Sequence, residues 1–382
     1  MSSAGKPRIL VLGAGFGGLE LTTQLSEALG DSIEVTLIDK SDSFMFGFSK
    51  LDVMFGHQPA DAVRIPYSTY AKPGVKLLRR TITGIDPEAR RVVTDDGVFE
   101  SDYLIVALGA EYDFEATPGL AGTTEFYSIP GAEKLREILP GFTAGRAIIG
   151  VCGAPYKCPP APSESALMLH DYLVQRGIRD QCQISLVLPL PSPVPPSPET
   201  SRALLAAFAE RNIEFIPGRR IASIDNARNV AILDDGREMG FELFLGVPKH
   251  RVPPVVLASG MSENGWIPVN PRTLETKYPG VYAIGDGAAT GTPKAGVFAE
   301  GAAKAVASAL IARLGQAGEA VLYDGFGTCY IEFGAGRIGK VEVDFFSGPE
   351  PTGNYYEPSV ALRADKDLFG SSRRKRWFGL AG

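Results

Sequence analysis

Arg8-Ile-Leu-Val-Leu-Gly-Ala-Gly-Phe-Gly-Gly18 decides the fold. The five residues Arg8 to Leu12 read as a short buried strand, the glycines follow at once, and Leu19 to Leu29 read as a helix. Gly13 permits the tight turn, Gly15 lets backbone approach a pyrophosphate, and Gly18 lets helix and strand pack closely. The helix N-terminus then offers free N–H groups to the phosphates. A second strand, Glu34 to Ile38, ends in Asp39, where a carboxylate can accept hydrogen bonds from both ribose hydroxyls. Strand, glycine turn, helix, strand and acid together specify a Rossmann-type unit that takes the ADP half of a dinucleotide. That half is common to FAD and NAD, so the fingerprint alone leaves the two open.

The far end of the chain separates them. Pro279-Gly-Val-Tyr-Ala-Ile-Gly-Asp286 is a short apolar strand ending in Gly-Asp, ahead of an alanine-rich helix expected to begin near Pro293. An aspartate at such a strand end can hold a ribityl hydroxyl, and the following helix N-terminus brings partial positive charge to a flavin edge, favouring an anionic reduced flavin. With the middle strand Asp102-Tyr-Leu-Ile-Val-Ala-Leu-Gly109, these segments resemble the two-dinucleotide-binding-domain flavoproteins, the superfamily of glutathione reductase and single-subunit NADH dehydrogenases.

The resemblance implies an α/β fold of two Rossmann-like dinucleotide-binding domains with a small C-terminal α+β domain. It divides the chain into 1–110 and 253–318 for the FAD-binding domain, 111–252 for the second Rossmann-like domain, and 319–382 for the C-terminal domain. It also implies FAD contacts at Gly13, Gly15, Phe16, Gly17, Gly18, Asp39, Lys40, Ile82, Ala107, Gly109, Gly285, Asp286, Lys294 and Ala295. Ile82 takes the position that commonly lies against the adenine.

The second nucleotide site departs from that superfamily. After the strand Arg146-Ala-Ile-Ile-Gly-Val151 the chain reads Cys152-Gly-Ala-Pro-Tyr-Lys-Cys-Pro-Pro-Ala-Pro162. Prolines lack N–H donors and fix φ, so this turn is poorly suited to wrapping a pyrophosphate. The next strand, Gln183 to Leu188, runs into Pro-Leu-Pro-Ser-Pro without an acid for a ribose, so NAD(P)H is not expected as the electron donor. Lys157 precedes Cys158, and a helix is expected over Ser163 to Leu173. A neighbouring cation and a helix N-terminus both lower a thiol pKa. Glu164 can exchange a proton if it folds back over Cys158.

The motif around Cys158, together with Thr328-Cys-Tyr330 and Pro293-Lys-Ala-Gly296, resembles the sulfide:quinone oxidoreductases and the flavoprotein subunit of flavocytochrome c sulfide dehydrogenase. In those families two redox cysteines lie over the flavin and the lysine approaches it. Carried onto this chain, the resemblance implies attack of HS⁻ on a Cys158–Cys329 disulfide, giving one persulfide and one thiolate. Two electrons then pass through FAD to a quinone, with sulfur or polysulfide as product; Glu164 and Lys294 complete the catalytic set. Two departures stand out: residues 110–145 hold no third cysteine, and residues 40–60 hold none for a covalent flavin link. His57, His170 and His250 have no obvious family counterpart. Within enzymes the rivals are an NADH:quinone dehydrogenase and a pyridine-nucleotide-disulfide reductase; from another class, a flavin redox sensor or partner subunit without turnover.

Composition bounds the remaining choices. A net charge of −6 opposes general nucleic-acid binding, which needs a basic surface. No uncharged apolar run approaches the roughly 20 residues of a spanning helix. The N-terminal stretch 1–7 has no secretory pattern, so a cytoplasmic protein is expected, peripheral at most on the inner face of the membrane. Cys152 and Cys182 read as small packing residues. The tail Arg373-Arg-Lys-Arg-Trp-Phe378 reads equally as a docking face for anionic lipid or a frayed terminus. Self-association into a homo-oligomer is left open.

Overall fold

The computed structural model describes residues 5–315 and 319–380. Residues 1–4 of the N-terminal stretch, and 316–318 and 381–382 at the ends of the last two expected segments, lie outside them.

The apolar run Ile9–Leu12 is buried on both faces, as a central strand of a parallel sheet must be. It forms the middle of a five-stranded parallel sheet in the order Val281–Ala283, Tyr103–Val106, Arg8–Leu12, Glu34–Asp39, Val75–Arg79. Successive residues serve opposite faces. Ile9 and Val11 pack with Leu19 and Leu37, whereas Leu10 and Leu12 pack with Leu104, Val106 and Val281. The strand from Val281 therefore returns the chain, after a long excursion, to the sheet it began.

That excursion builds a second parallel sheet, ordered Ile213–Pro217, Cys182–Leu188, Gly145–Val151, Leu243–Val247. Each parallel sheet is accompanied by a three-stranded antiparallel sheet, at Ile82–Glu100 and at Ile221–Gly240. The crossings pair Glu111–Asp113 with Lys249–Arg251. The last unit is the antiparallel sheet Phe326–Glu332, Ile338–Asp344, Thr352–Ser359, followed by the helix Leu362–Phe378. The two Rossmann-like sheets and the small α+β unit match the fold class expected.

Three helix boundaries move. The first helix spans Phe16–Leu29 rather than opening at Leu19, because Gly17 and Gly18 form its first turn. A side chain at Gly18 would strike the Gly13 carbonyl oxygen, so only glycine admits this helix so near its strand. The helix expected at Ser163 spans Ala161–Gln175, starting at a proline-containing first turn that needs few donors. The helix expected near Pro293 begins at Gly296, because Lys294 and Ala295 stay extended. The Lys294 carbonyl accepts the Cys158 N–H at 2.7 Å, in a parallel bridge between Lys157 and Lys294.

Candidate active site

One cavity of 1080 Å³ runs from the glycine turn to the cysteines. Its volume stands just above the roughly 300–1,000 Å³ of ordinary ligand and cofactor pockets. Of the residues expected to contact the cofactor, Gly13, Gly15, Phe16, Gly17, Asp39, Lys40, Ile82, Ala107, Gly109, Gly285, Asp286, Lys294 and Ala295 line it. Gly18 does not; it serves the helix–strand contact instead.

At the nucleotide end, Gly13 adopts φ +100°, and a Cβ there would strike the Ala107 carbonyl. The first helix is capped by Gly15 with no side-chain bond, so its leading N–H groups remain free for an anion. Asp39 accepts the Ala14 N–H through Oδ2 at 2.7 Å and the Ser41 N–H through Oδ1 at 2.8 Å. Each carboxylate oxygen keeps further acceptor capacity for a ribose hydroxyl. Lys40 pairs with Glu111 at 2.8 Å at the edge of the cavity.

At the other end Cys158 and Cys329 both line the cavity wall as free, half-buried thiols. Cys158 sits at φ +50°, a left-handed conformation uncommon outside glycine and frequent at functional sites. Its backbone N–H is fixed on Lys294, while Cys329 is held within the strand Phe326–Glu332. Burial pushes the Cys158 thiol well above its ordinary value, and the charges of Glu164 and Cys329 add to that. Burial, then Glu164, pushes Cys329 up to about 12.

The expectation that Lys157 lowers the Cys158 thiol is therefore corrected. Its ammonium turns away, donating to the Ala110 carbonyl at 3.0 Å and lying 4.3 Å above the Tyr112 ring. The cation that favours the Cys158 thiolate is Lys50, and the Ala161 N–H at the helix N-terminus assists it; burial outweighs both.

Glu164 is 2% exposed and lines the same cavity. Its Oε1 accepts the Glu332 N–H at 2.9 Å, tying the helix after Cys158 to the strand of Cys329. Burial pushes its carboxyl up to about 7, against the pull of Lys366 and that hydrogen bond. Lys294 is buried, 3.8 Å above the Trp266 ring, with Nζ donating to the Ala288 carbonyl at 3.2 Å. Burial brings its ammonium down to about 8, opposed by Asp286. The Asp286 carboxyl is raised by burial and lowered by Lys157, Lys294 and Lys50, so carboxylate and ammonium groups face one another across the cavity.

The remaining cysteines and histidines stay outside. Cys152, 1% exposed, packs with Ile148, Val187 and Phe244 in the second sheet's core, and burial pushes its thiol up to about 12. Cys182 is also buried. His250 is enclosed against Tyr112 and Tyr127, where burial and Lys157 push it down to about 3. His57 pairs with Asp52 at 3.5 Å and His170 with Asp171 at 3.3 Å.

Several contributors were not singled out from sequence. Phe44, Phe48, Tyr330 and Phe369 give the cavity an aromatic wall, which Met45 adjoins, and the alternating phenylalanines of Ser43-Phe-Met-Phe-Gly-Phe48 were the available signal. Lys50 and Lys366 also line the cavity, with no local motif to mark them. The cationic tail is neither frayed nor turned wholly outward. Arg373 pairs with Glu300 at 2.9 Å, Arg376 with Glu20 and Glu27 at 3.0 Å each, and Trp377 is fully buried among Phe16 and Phe44. Carboxylates supplied by two other helices neutralise half of its cations.

The family model described as pyridine nucleotide-disulphide oxidoreductase matches residues 7–309. The mitochondrial sulfide:quinone oxidoreductase of Mus musculus is 26% identical over 365 residues, covering 90% of this chain and 79% of the mouse protein. That of Schizosaccharomyces pombe is 24% identical over 339 residues, covering 80% and 74%. A type II NADH:quinone oxidoreductase of Staphylococcus saprophyticus is 33% identical, but over only 123 residues, 32% of this chain and 30% of that protein. The crystal structure of the sulfide:quinone oxidoreductase of Aquifex aeolicus shares the fold, with a TM-score of 0.86 over 97% of this chain and 91% of the other at 22% identity. A cleft fitted to a flavin-type dinucleotide and a family match across 7–309 lead to one assignment: this chain is an oxidoreductase belonging to the pyridine nucleotide-disulphide oxidoreductase family.

Proposed function

We propose that the chain oxidises sulfide with bound FAD and a Cys158/Cys329 redox pair, and delivers the electrons to a quinone. One observation carries this reading. Two cysteines far apart in sequence line the cavity that begins at Gly13 and Asp39, and the buried Glu164 carboxyl acts electrostatically on both. FAD would be held by Gly13, Gly15, Phe16, Gly17, Asp39, Lys40, Ile82, Ala107, Gly109, Gly285, Asp286, Lys294 and Ala295, and when bound it supplies two-electron transfer between the sulfur pair and the acceptor.

In the oxidised protein the two cysteines form a disulfide. Glu164 takes the proton of H₂S, and HS⁻ attacks one sulfur. The old S–S bond breaks as the new one forms, leaving a persulfide on one cysteine and a thiolate on the other. Over a full turnover H₂S and quinone become sulfur at the zero oxidation state, released as sulfur or polysulfide, and quinol. Lys294 holds positive charge on the flavin side of the cavity. The aromatic wall of Phe44, Phe48, Tyr330 and Phe369 suits a lipophilic acceptor. No helix of the described residues is long and apolar enough to cross a membrane. Reaching a quinone would then use peripheral contact, to which exposed Leu368 and Lys375 of the last helix can contribute.

The test is anaerobic stopped-flow absorbance of the yellow holoenzyme, mixed separately with sulfide and with NADH. Rapid bleaching of the flavin band by sulfide is expected. Bleaching by NADH alone would overturn the reading in favour of a pyridine-nucleotide dehydrogenase.

A further inference from the structure

Behind the two cysteines lies a cluster of charge that the chemistry above does not use. Glu332 ends the strand that carries Cys329, three residues after it, and its backbone N–H is the donor to Glu164 Oε1 at 2.9 Å. Its side chain turns to the last helix, where Lys366 Nζ meets Oε1 at 2.5 Å and Arg363 meets Oε2 at 3.2 Å. Arg363 and Lys366 are three residues apart on the helix Leu362–Phe378 and so share a face. The Glu332 and Lys366 side chains are only 10% and 13% exposed. Lys366 nevertheless lines the cavity that Glu164, Cys158 and Cys329 line. A buried ammonium beside a buried carboxylate is costly to place unless the two are paired, so the arrangement depends on both members.

We propose that Lys366 is a positioning residue for proton transfer at the cysteine pair: an ammonium, brought by the last helix, that holds Glu332 and Glu164 as one linked unit and so governs proton exchange at Glu164. The inference rests on the reading of Glu164 as the proton acceptor and deepens it.

The charges around Glu164 come from four directions. Lys366 and Arg363 come from the last helix, Glu332 from the strand, Asp52 from the helix Ser49–Met54 with its partner His57 just beyond that helix, and the two thiols with Tyr127 from the cavity wall. Burial, Glu332 and Asp52 favour the protonated carboxyl, while Lys366 and the Glu332 N–H favour the carboxylate. Removing the ammonium leaves only the Glu332 N–H against the first set, so Glu164 keeps its proton to higher pH. Removing the Glu332 charge acts with the opposite sign.

The experiment is an infrared pH titration of the holoenzyme, following the C=O stretch of the protonated carboxyl that Glu164→Gln removes. Lys366→Met is expected to move its midpoint up by about one unit or more. Glu332→Gln moves it down, and Lys366→Arg leaves it near the wild type. Lys366→Gln replaces the methionine variant if that one does not fold. A midpoint unmoved in both charge-removing variants, or moved the same way in both, overturns the proposal. The pH profile of sulfide-driven flavin reduction, measured on the same proteins, separates the two readings. If the infrared midpoint moves and the kinetic profile does not, Lys366 still governs proton exchange at Glu164, but Glu164 loses its part in sulfide oxidation and with it falls the role at the cysteine pair.

Discussion

Single residues set the chemistry, and they differ in how visible they are in the sequence. Cys158 stands inside a proline-rich turn where a relative using NAD(P)H would carry glycines, and that replacement marks it. Cys329 has only its neighbours to recommend it, and the fold alone brings it to the same cavity. Replacing either with serine removes the sulfur–sulfur bond that the proposed mechanism needs. Sulfide-driven bleaching should be abolished in Cys158→Ser and in Cys329→Ser, with the flavin still bound; normal bleaching in both would end the disulfide mechanism. Glu164 predicts a pH dependence of definite sign. Its carboxyl, pushed up to about 7, is protonated below that pH and available as a base only above it. The reduction rate should therefore fall as pH drops through 7. Glu164→Gln should lower the rate by on the order of 10²-fold and remove that inflection, leaving the titration of sulfide itself. Lys157 illustrates what adjacency in sequence cannot decide: the side chain next to Cys158 points to Ala110. Lys366, 34 residues from its partner Glu332, was invisible for the complementary reason.

At the scale of elements, strands were legible and helix starts were not. A continuous apolar run with a glycine turn behind it can be little else than a central parallel strand, and Arg8–Leu12 is one. Helix starts depended on contacts a linear reading lacks, such as the bridge to Lys294 that keeps the chain extended up to Ala295. The last helix is the clearest case. Its sequence shows four cations and a tryptophan, whereas the carboxylates they meet belong to helices up to 356 residues away. Glu20 is 1% exposed; burial works to raise its carboxyl, yet hydrogen bonds from Arg376, Trp377 and Gln24 hold it below the ordinary value. A depressed folded-state value gives stability that is present above the unfolded pKa and lost as pH falls through the folded one. Glu20→Gln should accordingly flatten the acid limb of the stability curve. Trp377→Ala removes a fully buried ring and should cost about 3–5 kcal/mol, read by denaturant unfolding; a loss within experimental error would mean that the helix is not docked in solution.

For the whole molecule, the two-sheet plan was readable from the family resemblance and from the short apolar strands next to the glycine and proline turns, whereas Val75–Arg79, Ile213–Pro217 and Leu243–Val247 carried no such mark. The cavity was not, since it is made by residues from segments as far apart as Gly13 and Phe369. A cofactor that fills it binds the folded state alone. Added FAD at 100 times its dissociation constant should raise the stability of the flavin-free protein by about 2.7 kcal/mol, visible as a higher Tm, while NADH added to the FAD-saturated protein should leave Tm unchanged. An equal rise with NADH would require a second nucleotide site.

The clasp between Trp377 and the aromatic pair Phe16 and Phe44 also has a meaning for biosynthesis. A ribosome delivers the first helix long before the last one. Until Trp377 has left the exit tunnel, that aromatic pair lacks the indole that packs on it, and Glu20 has neither of its two C-terminal donors. The nascent chain thus carries an adhesive surface through almost the whole of its translation, and a transcript cut short of Trp377 makes a polypeptide suited to chaperones and proteases rather than to catalysis.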